Sequence, residues 1–202
     1  MSLNKVVTAT FKQIEYMSVT YFKFSCNRCD FSGTSLVTFG WFIYHYKGVF
    51  FNFDRMVGLC LDCKEIVAVE DFPTKAVFEK ARAIRGEYTG KPLLKFLEKD
   101  YARYLASQKG FEALEKVMSL GRLPVCLQCG SNAIRPITIP EEATDKFKTS
   151  IGLQHPWCSG TLQVQHSGSS RIAPAELTRI YHVNGTKISE KPTPPDQFDL
   201  FT

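Results

Sequence analysis

No stretch of this chain approaches the roughly 18 consecutive apolar residues that a membrane-spanning helix needs. The longest apolar run, FGWFIYHY at residues 39–46, ends at Lys47. A membrane partner is therefore not expected. The opening residues, MSLNKVVTATFKQIEY, have no basic segment followed by an apolar core. No secretory signal is read from them, and the expected location is cytoplasmic. A strong charge of one sign is missing too: 25 Lys and Arg stand against 20 Asp and Glu, for a formal charge of +5. Any nucleic-acid reading must then rest on where charge sits rather than on its total. What the chain does have is 44% hydrophobic and 13% aromatic residues, enough for a real core in one large domain or two small ones.

Seven cysteines are present, and six form three CxxC pairs: Cys26 and Cys29, Cys60 and Cys63, Cys126 and Cys129. In a reducing compartment this spacing points to metal or redox chemistry rather than to structural disulfides. A CxxC turn offers two sulfurs to one ion, while its backbone amides stabilise the thiolate charge. The seventh cysteine, Cys158 in HPWCSG, lies three residues after His155 and so repeats the same spacing. Seven cysteines and one histidine supply eight ligands, enough for two four-coordinate Zn²⁺ sites. Other completions of the second site stay open: His166, His182 or a water in place of His155. His45 sits among aromatics and reads as a structural or surface histidine.

Two groupings of the pairs are open. Sequential pairing joins Cys26, Cys29, Cys60 and Cys63 in one site and Cys126, Cys129, His155 and Cys158 in the other. A crossed, RING-like pairing joins the first pair to the third. The 62 residues between Cys63 and Cys126, with helical pattern inside them, favour sequential pairing. Neither HExxH nor HxE…PCxxC is present, and no carboxylate adjoins HPWC. Closed structural zinc is therefore expected over a catalytic ion with an open position. The rival is a thiol-dependent enzyme or redox protein using Cys158 or a CxxC pair.

The order knuckle, hairpin, knuckle over residues 26–63 resembles the zinc-ribbon class. Its hairpin consists of two aromatic and β-branched runs around Lys47-Gly48. The middle reads as helical. TKAVFEKARAIRG places Val77, Ala81 and Ile84 on one face, KPLLKFLEKDYARYLASQKG spans 91–110, and FEALEKVMSLG ends at Gly121. Beyond the third CxxC, TLQVQHS alternates and Asn184-Gly185 marks a two-residue hairpin turn. The expected fold is α+β, with two zinc-stabilised, ribbon-like β units joined by a helical segment. The boundaries read are 1–70, 71–122 and 123–190, followed by a proline-rich tail at 191–202.

Lys91, Lys95, Lys99 and Arg103 recur at i+4 and form a slanting basic ridge. Residues 71–125 hold 11 basic and 7 acidic side chains, so phosphate contact is one use of the ridge and a solvated helix face the other. The aromatics Phe39, Trp41, Phe42, Tyr44, Tyr46, Phe50, Phe51 and Phe53 could stack bases. Packing against the 92–109 helix is the favoured use of that face. In the tail, Gln197-Phe198-Asp199-Leu200-Phe201 resembles the Q-L-[SD]-L-F pentapeptide by which bacterial polymerases and repair proteins bind the β sliding clamp. That resemblance implies a clamp partner held by Gln197, Leu200 and Phe201, with Phe198 departing from the usual leucine. The function expected is a non-enzymatic, zinc-stabilised module that binds nucleic acid or a nucleic-acid-processing complex. A protein–protein adaptor docking through the aromatic face or the tail is the further alternative.

Overall fold

The computed structural model describes residues 17–85, 105–106, 110–172 and 178–191. Over these residues the fold is mostly β: three small sheets and two short helices. The strands are β1 (Met17–Cys26), β2 (Ser32–Thr34), β3 (Trp41–Tyr46), β4 (Val49–Asn52), β5 (Arg55–Cys60), β6 (Glu65–Glu70), β7 (Ile134–Pro136), β8 (Thr149–Gln154), β9 (Thr161–Ile172), β10 (Thr178–His182) and β11 (Lys187–Lys191). The helices are α1 (Lys75–Ile84) and α2 (Phe111–Ser119). Among the described residues no helix is long and apolar enough to cross a membrane.

The sheets run β2-β1-β9-β8, β11-β10-β3-β4 and β6-β5-β7. Each takes strands from both halves of the chain. Two self-contained β units joined by helices, as the sequence order suggests, are therefore not what forms. The long antiparallel pair of β1 with β9 joins Met17↔Ile172 through Cys26↔Leu162. In the second sheet β10 lies parallel to β3, from Thr178↔Trp41 to His182↔His45. Parallel neighbours need no local turn between them, which is why sequence adjacency does not betray the pair.

Several local signals do hold. Lys47 and Gly48 take φ of 49° and 78°, the two positive values that a type I′ turn between β3 and β4 requires. The 184–185 hairpin forms as well, but its connection is four residues long. Gly185 carries the positive φ, its N–H donates to the His182 carbonyl at 2.8 Å, and the His182 N–H donates to the Thr186 carbonyl at 2.8 Å. In β1 the apolar alternation slips phase at Tyr21-Phe22, and there the pairing with β9 shifts register as a bulge. Thr74 caps α1 by accepting from the Val77 N–H, and Gly121 at φ 60° follows the last turn of α2. The predicted 92–109 helix lies outside the described residues except for Leu105 and Ala106, both buried.

Two cores result. The first is aromatic and holds Phe42, Tyr44, Phe51 and Phe53 with Tyr181 from β10 and Phe78 and Phe111 from the helices. The predicted aromatic face is thus largely consumed in packing, with Phe50 left exposed. The second core lies between the first and third sheets, where Phe24, Leu162 and Val164 meet Val57, Leu59 and Ile66. The sheets approach closely at Gly33, where a Cβ would stand 2.3 Å from Ile66 Cγ1. Pairing within the first and the third sheet sets each cysteine-bearing turn beside its partner.

Candidate metal centres

Three of the knuckles form at a strand end, and the 126–129 knuckle follows the isolated bridge of Cys126 to Val69. In the second, third and fourth knuckles the residue after the last ligand is left-handed: Lys64 at φ 59°, Gly130 at 80° and Ser159 at 56°. Turn hydrogen bonds close them, from Lys64 N to Cys60 O (2.9 Å), Gly130 N to Cys126 O (2.8 Å) and Ser159 N to His155 O (3.1 Å). Backbone N–H groups also point at sulfur: Arg28 N at Cys26 Sγ, Cys63 N at Cys60 Sγ and Gln128 N at Cys126 Sγ, each 3.4 Å away. Such donors stabilise a thiolate.

The four knuckles meet in two groups that could each hold a metal ion. One contains Cys26, Cys29, His155 and Cys158, and the other Cys60, Cys63, Cys126 and Cys129. Within each group the ligand atoms lie within 4.8 Å of one another. All eight predicted ligands are therefore gathered, but the favoured sequential pairing is wrong. The first pair does not join the third either. The arrangement is nested: first with fourth, second with third.

Strand order explains the nesting. Because β1 pairs with β9, the knuckle that ends β1 lies beside the one that opens β9. Asn27 seals the contact, its N–H reaching the Thr161 carbonyl at 3.2 Å and its Oδ1 accepting from the Thr161 N–H at 2.9 Å. In the inner group the 60–63 knuckle tips the β5–β6 hairpin. The arms of the 126–129 knuckle flank that hairpin, Cys126 bridging to Val69 and Ile134 pairing with Cys60. The zinc-ribbon expectation for residues 26–63 thus fails at its first ligand pair, which closes with His155 and Cys158 instead.

In the inner group Cys60 Sγ and Cys129 Sγ are 3.7 Å apart and Cys63 Sγ and Cys126 Sγ 3.8 Å. In the outer group Cys26 Sγ lies 3.3 Å from Cys158 Sγ, and His155 Nδ1 lies 3.4 Å from Cys29 Sγ and 3.0 Å from Cys158 Sγ. Burial pushes the Cys126 and Cys158 thiols up to about 11, and raises Cys63 further. Cys26 and Cys129 move the other way. Burial opposes their ionisation, but backbone N–H groups and neighbouring thiols outweigh it. Within each group the shifts run in both directions, and a bound dication would displace the thiol protons. Burial lowers the His155 pKa below its usual 6.5 and keeps the ring neutral, as ligation requires. Among the described residues no carboxylate joins either group.

Sequence reasoning missed the residues that shape the outer group. Phe31 packs on His155 with ring centroids 4.4 Å apart, and Trp157 meets it edge-on at 4.9 Å. Gly160 presses directly on a ligand: a Cβ there would stand 2.5 Å from Cys26 Sγ and 2.8 Å from Arg28 Cβ. The glycine was visible in HPWCSG, but its neighbour Cys26 is 134 positions away. The other histidines are elsewhere, His166 against Phe22, His45 against Phe50 and His182 at the end of β10. Lys91, Lys95, Lys99 and Arg103 lie outside the described residues, as do Gln197, Leu200 and Phe201.

The fold and the two groups define a mostly β chain with paired Cys₄ and Cys₃His motifs of the zinc-binding kind. Comparison with known proteins adds no family: no family model, curated protein or solved structure matches the chain.

Proposed function

We propose that this chain is a non-enzymatic, zinc-stabilised interaction module with two structural Zn²⁺ sites. The observation that carries the reading is the inner donor geometry. Zinc with Zn–S bonds of about 2.3 Å in a tetrahedron places its sulfurs about 3.8 Å apart. The inner group offers 3.7 and 3.8 Å on two edges that share no sulfur. The outer group is tighter: its two sulfur–imidazole edges are 3.4 and 3.0 Å against about 3.5 Å for zinc, and its Cys26–Cys158 sulfur edge is 3.3 Å against about 3.8 Å. Four protein donors fill each tetrahedron, which leaves no position for a substrate.

Thiol catalysis is the less supported reading. Burial raises the Cys158 thiol pKa to about 11, the opposite direction from that of an activated nucleophile. The proposed partner is nucleic acid or a protein of a nucleic-acid-processing assembly. It rests on the ridge of Lys91, Lys95, Lys99 and Arg103 and on the clamp-like tail, both sequence features. Metal analysis of the purified chain under reducing conditions should return two zinc ions per polypeptide. One ion or none would overturn the proposal.

The packing at Gly160 supplies a test that leaves every ligand in place. Gly160→Ala forces Cys26 or the 155–160 turn to move, an overpacking cost of about 1–3 kcal/mol. The variant should lose the outer ion and keep the inner one, seen as a fall from two zinc ions to one. Full retention of both would show that the turn has more room than this contact allows.

A further inference from the structure

We infer that the two sites form a hierarchy, in which the inner Cys₄ site loads first and holds its metal, while the outer Cys₃His site is a releasable clasp. The inference rests on the zinc reading above and concerns how the two sites differ. Three independent observations support it.

The first is chain topology. The inner site closes a loop of 62 residues between Cys63 and Cys126. The outer closes 125 residues between Cys29 and His155, and the inner loop lies wholly inside it. Closing the outer site on an open chain orders more residues, whereas closing it after the inner site finds its two ends already close.

The second is packing. Cys60 and Cys126 are fully buried, and they share a cluster with Val67 and Val69. Both arms of the inner 126–129 knuckle are tied to the β5–β6 hairpin, through Leu127 N to Ala68 O at 2.9 Å and Leu61 N to Ala133 O at 2.8 Å. Opening this site would loosen the 60–63 tip on both sides of β5, where it pairs with β6 and with β7, whereas opening the outer site would free the ends of β1 and β9 and the turn between β8 and β9.

The third is the histidine. His155 turns Nδ1 toward the thiols, so a bound metal leaves the proton on Nε2. Nε2 is buried and has no hydrogen-bond partner among the described residues. Metal-bound imidazoles ordinarily donate that second N–H to a carboxylate or carbonyl, and losing such a partner weakens metal binding about 10–100-fold. The inner site has no such defect, since all its donors are thiolates and two accept backbone N–H groups. Release of the outer metal would unfasten the β1–β9 seam at one end and expose Cys26, Cys29 and Cys158 together.

The test titrates the full-length, two-zinc protein with a chelator under reducing conditions. Zinc release is followed by a colorimetric indicator, and backbone protection by hydrogen exchange. Two phases of one ion each are expected. After the first, exchange should rise in residues 17–34 and 149–172 while 55–70 and 125–136 stay protected. His155→Cys, which removes the unpaired ring nitrogen, should slow the first phase about tenfold or more. Cys158→Ser should retain one ion, and Cys126→Ser should retain none. Release of both ions in a single phase, early exchange in 55–70, or one tightly held ion in Cys126→Ser would overturn the hierarchy. A wild-type chain with fewer than two zinc ions would instead overturn the reading beneath it.

Discussion

Removing both metal ions should abolish the chain's cooperative thermal transition. Structural zinc contributes about 10–16 kcal/mol of apparent binding free energy per ion in small zinc domains. Whole domains have net stabilities of about 5–15 kcal/mol. Loss of two such ions exceeds what the remaining contacts can offset. The sheets of this chain have four, four and three strands, and those in the first and third end at the two ligand groups. Without the ions, the ligand atoms of each group stay crowded within 4.8 Å of one another, with burial opposing the ionisation of Cys63, Cys126 and Cys158. Circular dichroism melts before and after exhaustive chelation, with reductant present, measure the effect. Cys60→Ser, which takes away a fully buried inner ligand, should give nearly the same result with zinc supplied. A chelated chain that still melts cooperatively near the untreated midpoint would show that the ions do not hold the fold.

The ligands themselves were legible because their spacing is local. CxxC and HxxC each form within one turn, and the turn's requirements are written beside them, as in Gly130 after Cys129. Which turns come together is decided by strand order, and strand order is a long-range property. Nothing in residues 17–26 announces pairing with 161–172, because both are alternating strands that suit several neighbours. Nesting follows once that pair forms, since β5, β6 and β7 are then left to assemble between. The aromatic hairpin illustrates the same boundary. Its turn at Lys47-Gly48 was readable, and so was its apolar face. Its neighbour β10, reached across more than 130 residues and lying parallel, was not. The seven cysteines mark two sites, and the fold alone chooses the partners.

The buried Glu70–Arg122 pair escaped sequence reading for the same cause, and its removal should be the most damaging change away from the metal sites. Glu70, at the end of β6, is 1% exposed, yet it carries a full set of donors. Arg122 grips its carboxylate in a bidentate fork at 2.5 and 2.7 Å, the Val125 N–H donates at 2.9 Å, and the Tyr44 hydroxyl donates as well. Arg122 also reaches the Val183 carbonyl at 3.1 and 3.0 Å, so one side chain ties the α2 linker to the β10–β11 connection. Burial works against the Arg122 charge, but its hydrogen bonds and attraction to Glu70 raise its pKa nonetheless. Burial and the nearby carboxylate likewise raise the Tyr44 pKa, so Tyr44 stays a donor at any physiological pH. Glu70→Ala leaves a guanidinium that is mostly buried without its counter-ion and deprives Val125 N–H of its acceptor. Breaking a buried pair from one side costs about 3–5 kcal/mol. Tyr44→Phe removes one hydrogen bond while its acceptor keeps others, and should cost about 1–2 kcal/mol. Urea denaturation of zinc-loaded protein should show the midpoint falling far more for Glu70→Ala than for Tyr44→Phe, with zinc content unchanged at two. Equal, small shifts would mean that Arg122 finds solvent or another partner when Glu70 is gone, and that the network orients the linker without holding it.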